Sequence, residues 1–283
     1  SRSHALSKGC EIVKEILVTN VEKWLTPHLE RVFHIKYTEQ LKHSNYSSFD
    51  AEITYIIGFE YIGEFTDIGS LGDVLHLAAQ SSKLKTIIYL SSYGVYAPKM
   101  GKFRESDVVC PKNFVGTRAA ILEDILVYLA NRYSLDLTIL RLFNPYGPYQ
   151  LSPYVVPTVL ERIASSGTVN IGDSEKVRDF FYISDLIDLI TLILEKDPKG
   201  IDIFNVGSGN PISISTLITR AQEITGGECD VLFDATKLRE EYDYDYAVAD
   251  INKIKKELGW EPKVSLEEGL ALTYQWILGR SGK

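Results

Sequence analysis

The strongest constraint on this chain is an alternation. Short runs of β-branched and apolar residues trade places with longer segments of helical periodicity. Residues 16–19, 32–37, 53–57, 86–90 and 137–142 read as strands, most of them apolar nearly throughout. A strand with no polar face is covered on both sides, which is the pattern of a parallel sheet with helices above and below. Segments 70–82 and 115–133 supply helices between strands, so the chain is expected to be α/β, with a Rossmann-like doubly wound parallel sheet.

After Pro148 the texture changes. Pro153 and Pro157, a helix ending at Ala164 and a small strand at 169–171 predict a less regular, smaller C-terminal α/β lobe. Residues 180–183, a helix over 186–194 and a strand over 203–206 read as a return to the first sheet. Helices over 213–225, 251–258 and 266–278 follow. The expected division assigns 11–151 and 180–207 to the Rossmann-like domain, and 152–179 and 208–283 to the smaller lobe. Helix 115–133 is apolar on nearly every side. It is either fully buried, or packed on the sheet by one face and on a partner subunit by the other.

Charge narrows the function. Thirty Lys and Arg against 38 Asp and Glu give a net charge of −8, which disfavours a nucleic-acid or anionic-membrane surface. No stretch is long and apolar enough to be expected to cross a membrane. Cys10, Cys110 and Cys229 lie far apart, with neither metal-ligand nor disulfide spacing, so a cytoplasmic setting is expected. The acidic run 240–246 lacks a turn-forming glycine, so no metal is expected there.

Several phrases then occur in a fixed order: Tyr89-Leu-Ser-Ser-Tyr-Gly-Val-Tyr96, Arg104-Glu-Ser-Asp107, Leu140-Arg-Leu-Phe-Asn-Pro-Tyr-Gly-Pro148, Arg178-Asp-Phe-Phe-Tyr-Ile-Ser-Asp185, Phe204-Asn-Val-Gly-Ser-Gly209 and Leu258-Gly-Trp-Glu-Pro262. Together they resemble the extended short-chain dehydrogenase/reductase family, and within it the NAD-dependent nucleotide-sugar epimerase/dehydratase branch. The resemblance implies a dinucleotide in the Rossmann lobe and a nucleotide sugar in the smaller one. It also implies a Tyr-x-x-x-Lys pair with a Ser or Thr, in which the Tyr exchanges a proton with a sugar hydroxyl.

Measured against that family, the cofactor side is altered. The segment Thr19–Leu29 holds Asn20, Lys23 and Thr26 where three glycines are expected. Those glycines permit the turn, the close approach of backbone to pyrophosphate, and helix-to-strand packing. Their loss predicts a closed pyrophosphate site and no cofactor; the alternative is NAD or NADP held with help from Lys23, with Glu39 on the ribose. Only 38–51 separates the second strand from the third, where relatives carry a helix and a further strand, so the sheet is expected to be abbreviated.

The catalytic side is altered too. Ser92 matches the family Ser, but Phe114 and Arg118 stand in the Tyr and Lys positions. Phe114 has no hydroxyl, and Arg118 keeps its charge at every relevant pH. The Asp-Glu pair that dehydratases carry after the Ser or Thr is replaced by Tyr93-Gly94.

The substrate side is better kept. Asn144 and Arg178 match the residues that hold the diphosphate, and Arg239 sits near a second diphosphate arginine. The expected function is therefore a nucleotide-sugar-binding pseudo-oxidoreductase without cofactor, acting as a ligand-binding or regulatory partner protein. Its alternative is an NAD(P)-dependent nucleotide-sugar epimerase or reductase with an altered glycine loop. A weaker alternative is a non-redox enzyme reusing Ser92, Arg118 or Glu105. A homodimer through helices 70–82 and 115–133 is expected.

Overall fold

The computed structural model describes residues 15–19, 23–37, 52–57, 83–234 and 244–281. The expected helix over 70–82 therefore lies outside the described residues. Strand β1 (Glu15–Thr19) runs into a turn and the short helix α1 (Thr26–Glu30), then β2 (Ile35–Tyr37) and β3 (Ile53–Ile57). β4 (Leu84–Ser92), helix α2 (Phe114–Tyr133) and β5 (Asp136–Leu142) follow. β6 (Asn144–Tyr146), helix α3 (Val155–Ala164), β7 (Thr168–Ile171), β8 (Val177–Arg178) and β9 (Phe180–Tyr182) lead to helix α4 (Ile183–Lys196) and β10 (Ile201–Val206). The chain ends with β11 (Ile212–Ser213), α5 (Ile214–Thr225), β12 (Asp230–Phe233), β13 (Tyr246–Ala247), α6 (Asn252–Leu258) and α7 (Leu266–Ser281).

Six strands form one parallel sheet in the order β10-β5-β4-β3-β1-β2. Strand order reverses between β1 and β3, the switch point outside whose carboxyl ends ligands bind in open α/β sheets. The doubly wound expectation holds. The central strands β4 and β5 are buried along almost their whole length, as their unbroken apolar runs require.

Two boundaries differ from expectation. Val32 and Phe33 do not begin β2: both donate their backbone N–H to the Leu29 carbonyl and close the turn after α1. Residues 180–183 do not rejoin the large sheet either. β9 pairs with β6 outside it, and Ile183 opens α4; β10 is the strand that returns.

In the second lobe, α3, α5 and α7 pack on one another, and β7 pairs with β12. One apolar core runs from Val18, Trp24 and Leu140 in the sheet region to Leu160, Leu217 and Leu270 in this lobe. The two lobes thus share buried surface.

Helix α2 resolves the two readings of its sequence. Asn113 caps it by accepting the Gly116 N–H at 2.7 Å, and Ser134 ends it in the left-handed region. Ala119, Leu122, Leu126 and Leu129 turn one stripe into the core beside β4 and β5. On its other side Ile121 and Tyr128 are 54% and 64% exposed. No helix among the described residues is long and apolar enough to cross a membrane.

Candidate active site

The carboxyl end of β4 carries Ser92, paired in register with Leu142 of β5, two residues before Asn144. Ser92 caps the 3-10 turn Tyr93–Val95, its Oγ accepting the Gly94 N–H at 3.1 Å. That turn lies against the first turn of α2. A Cβ on Gly116 would stand 1.9 Å from the Gly94 carbonyl oxygen, so glycine at 116 is what lets the helix reach the strand end. Phe114 and Arg118 ride on this turn of α2. Phe114 is 52% exposed and Arg118 is buried, with its guanidinium 5.9 Å from the centre of the Phe114 ring.

Asn144 of β6 stands opposite Phe180 of β9, whereas Arg178 belongs to β8 and stands opposite Ile212 of β11 and Ala247 of β13. Both the backbone N–H and the Nδ2 of Asn144 donate to the Asp179 carbonyl at 3.1 Å. Arg178 and Asp179 turn to opposite sides of the strand, as consecutive residues do. Arg178 Nη1 donates to the carbonyls of Tyr244 (2.7 Å) and Val177 (2.9 Å). Asp179 accepts the backbone N–H groups of Ser208, Gly209 and Ala249 and the Ser208 hydroxyl at 2.6–3.0 Å. Burial pushes its carboxyl above the usual range, against the pull of these donors.

A charged cluster missed by motif reading underlies the site. Glu123 on α2 accepts from Arg141 of β5 through Nε (3.0 Å) and Nη2 (2.7 Å), and from the Ser91 hydroxyl at 2.6 Å. The Arg141 guanidinium lies 4.8 Å from the Tyr96 ring centre, and Tyr96 donates to Asn205 at 2.6 Å. The signal was present in the sequence: one Arg in an apolar strand and one Glu in an apolar helix.

Asn20, Glu39 and Arg239 lie outside the described residues. Lys23 is exposed at the end of β1, followed by Trp24 and Leu25, both turned into the core. A pyrophosphate at this switch point would ordinarily take backbone amides. In α1, Pro27 has no N–H, and His28 and Leu29 both donate to the Leu25 carbonyl. The described part of the loop therefore suits a phosphate through the Lys23 ammonium and the Thr26 hydroxyl, and not through a glycine nest.

A separate cavity of about 730 Å³ opens at the outer edge of β10. Its charges are internally paired, Arg104 with Asp250 at 3.2 Å and Lys253 with the Ile203 carbonyl at 2.8 Å. Glu105, also at this cavity, accepts the Asn205 N–H at 2.8 Å.

A doubly wound parallel sheet, with a serine at one strand end and an amide–arginine pair beside it, defines a Rossmann-type protein of the extended short-chain dehydrogenase/reductase class. Residues 60–273 match the family described as GDP-mannose 4,6 dehydratase, and the chain belongs to that family of nucleotide-sugar epimerases and dehydratases. The low-salt glycan biosynthesis protein Agl12 of Haloferax volcanii is 31% identical over 206 residues, covering 71% of this chain and 64% of that protein's own length. The chain thus spans less than two thirds of that curated relative.

Among solved structures, the UDP-glucose 4-epimerase of Thermotoga maritima with UDP-glucose superimposes with a TM-score of 0.79 at 24% identity, covering 96% of this chain and all of that one. The UDP-glucuronic acid 4-epimerase of Bacillus cereus, in complex with UDP-glucuronic acid and NAD, gives 0.77 at 20% identity, with 95% and 100% coverage. This corrects the expectation of no cofactor. That epimerase, which shares this fold, is in complex with NAD.

Proposed function

We propose that this chain binds a nucleotide sugar and a nicotinamide dinucleotide across the carboxyl edge of its sheet, as an NAD(P)-dependent nucleotide-sugar epimerase or reductase with an altered glycine loop. What supports this reading is the family match over residues 60–273, together with Ser92 at the carboxyl end of β4 and Asn144 just past the end of β5. Lys23 and Thr26 would hold the pyrophosphate, and a bound nicotinamide would take or return a hydride at a sugar carbon. Arg178 and Asn144 orient the sugar diphosphate, the guanidinium by charge-assisted hydrogen bonds. Ser92 is free to donate its hydroxyl proton to a sugar oxygen while its Oγ accepts from Gly94.

Calorimetric titration with NAD, NADPH, UDP-glucose and UDP-glucuronic acid, followed by assay of nicotinamide absorbance with both sugars, tests this. Binding of one dinucleotide and one nucleotide sugar is expected. No dinucleotide binding at millimolar concentration would sink it. A second reading, binding without turnover, is favoured by the absent hydroxyl at Phe114; it requires both ligands to bind and no absorbance change to follow.

The same reading includes a homodimer, supported by the outward Ile121 and Tyr128 on α2. A C2 pairing would cover each stripe with its copy. Light scattering should give a dimer mass that Ile121→Asp with Tyr128→Asp converts to a monomer. A monomeric wild type at micromolar concentration rejects it.

A further inference from the structure

β10 is an outer strand of the large sheet: among the described strands it pairs with β5 alone. Leu137 and Phe143 donate their backbone N–H groups to the carbonyls of Gly200 and Val206, so the even-numbered peptide groups of this strand face β5. Backbone polar groups alternate between the two sides of a strand, and those of Ile201, Ile203 and Asn205 point outward. A row of outward N–H and C=O groups is a template for a further strand. The segment Ile201–Val206 is also of the kind that pairs readily, with Ile201, Ile203 and Val206 β-branched and Phe204 aromatic.

Two charged side chains occupy that row. Glu105 Oε1 accepts the Asn205 N–H at 2.8 Å, and Lys253 Nζ donates to the Ile203 carbonyl at 2.8 Å. A neighbouring parallel strand would spend the N–H and C=O of one residue on these same two groups, and an antiparallel one needs them too. The ammonium stands in for the donor of that residue and the carboxylate for its acceptor. Both side chains are held in place by their own segments. Phe103 donates its N–H to the Val248 carbonyl at 2.8 Å and Asp250 donates to the Phe103 carbonyl at 2.7 Å, which joins the stretch before Glu105 to the stretch before Lys253. Arg104 Nε adds a bond to Asp250 at 3.2 Å. Lys253 Nζ also lies 4.6 Å from the centre of the Phe204 ring, which keeps the ammonium over the strand it caps.

We infer that Glu105 and Lys253 close the outer edge of the sheet against a second copy of this chain, whose own β10 would otherwise pair there antiparallel about a two-fold axis. A copy is the occupant that fits, because it presents the same edge and a two-fold pairing lets each strand satisfy the other's outward groups. Charged side chains on an edge strand are a recurring means of refusing such a partner. Here they go further and fill the hydrogen bonds that the partner would make. With this edge shut, copies are left to associate through other surfaces. The inference involves no ligand, so it stands or falls apart from the nucleotide-sugar reading.

The test uses the full chain and its mass by light scattering at micromolar concentration. Glu105→Ala with Lys253→Met removes both substitutes, and the methionine keeps an apolar stem beside Phe204. This double variant should show about twice the wild-type mass or more, rising with concentration. Adding Ile203→Pro should return it to the wild-type mass, because that N–H points away from β5 and proline is tolerated at such an edge position. Glu105→Gln keeps an acceptor for Asn205 and should keep the wild-type mass. A double variant with a native circular dichroism spectrum and the wild-type mass overturns the inference. A raised mass that Ile203→Pro leaves in place also overturns it, since the new contact would then lie elsewhere. So does a raised mass in Glu105→Gln. If the double variant does not fold, Lys253→Met alone decides: a partial rise in mass supports the inference, and an unchanged mass overturns it.

Discussion

Asp179→Ala should lower the melting temperature by about 5–8 °C, through a loss of about 3–5 kcal/mol. The carboxylate is the shared acceptor for the N–H groups of Ser208, Gly209 and Ala249 and for the Ser208 hydroxyl. Removing it strands three backbone donors in a region sealed from water, each costing roughly 1–3 kcal/mol without a partner. Gly207 shows how tightly the loop is drawn in, because a Cβ there would stand 2.5 Å from Asp179 Oδ2. The Asp179 carbonyl also holds Asn144, which should loosen with the loop. Asp179→Asn keeps one carbonyl acceptor and should lie between the two. A melting temperature within about 3 °C of wild type for Asp179→Ala would show that the loop does not depend on this residue.

The large sheet was legible in the sequence because parallel strands buried on both faces are largely apolar, as the middles of β4 and β5 are. Local pattern failed where a tertiary partner decides. Val32 and Phe33 have strand chemistry, yet the Leu29 carbonyl takes both N–H groups and ends α1 instead. Phe180 to Tyr182 form a strand as the sequence suggests, but which strand they pair with is set by β6 arriving alongside, which no periodicity encodes.

The candidate site was legible where a motif fixes a residue to a strand end. On that basis Ser92 lies at the carboxyl end of β4 and Asn144 just past β5, while Arg178 stands on β8 and holds the Tyr244 and Val177 carbonyls. Motif reading also led to a mistaken inference, from three absent glycines to an absent dinucleotide; it set the lost backbone nest above the alternative of a phosphate held with help from Lys23. The stacking of Tyr93 on Phe143, 50 residues away in sequence, is a property of the assembled sheet. The Arg141–Glu123 pairing was equally hidden, since each residue looks like an anomaly in its own element until α2 packs on β5.

Arg141→Ala is expected to be as damaging as Asp179→Ala, for an electrostatic reason. It leaves the Glu123 carboxylate among apolar side chains with the Ser91 hydroxyl as a donor, and an uncompensated buried charge costs about 3–5 kcal/mol. That is a large part of the roughly 5–15 kcal/mol that holds a folded chain together. The guanidinium also lies over the Tyr96 ring, so its loss opens a space beside the Ser92 turn. Replacing both charges by apolar groups of similar size, Arg141→Met with Glu123→Leu, removes the desolvation cost together with the attraction and should recover most of the lost stability. The coupling between the two positions, read from thermal melts of both single variants and the double, should then be at least about 2 kcal/mol. Additive losses would show that the pair is not the element joining α2 to β5. Because α2 carries Phe114 and Arg118, and β5 leads into Asn144, Arg141→Ala should also weaken UDP-glucose binding, and the double variant should restore it. A stable double variant that still fails to bind UDP-glucose would mean that the charges hold the site's geometry and not only the fold.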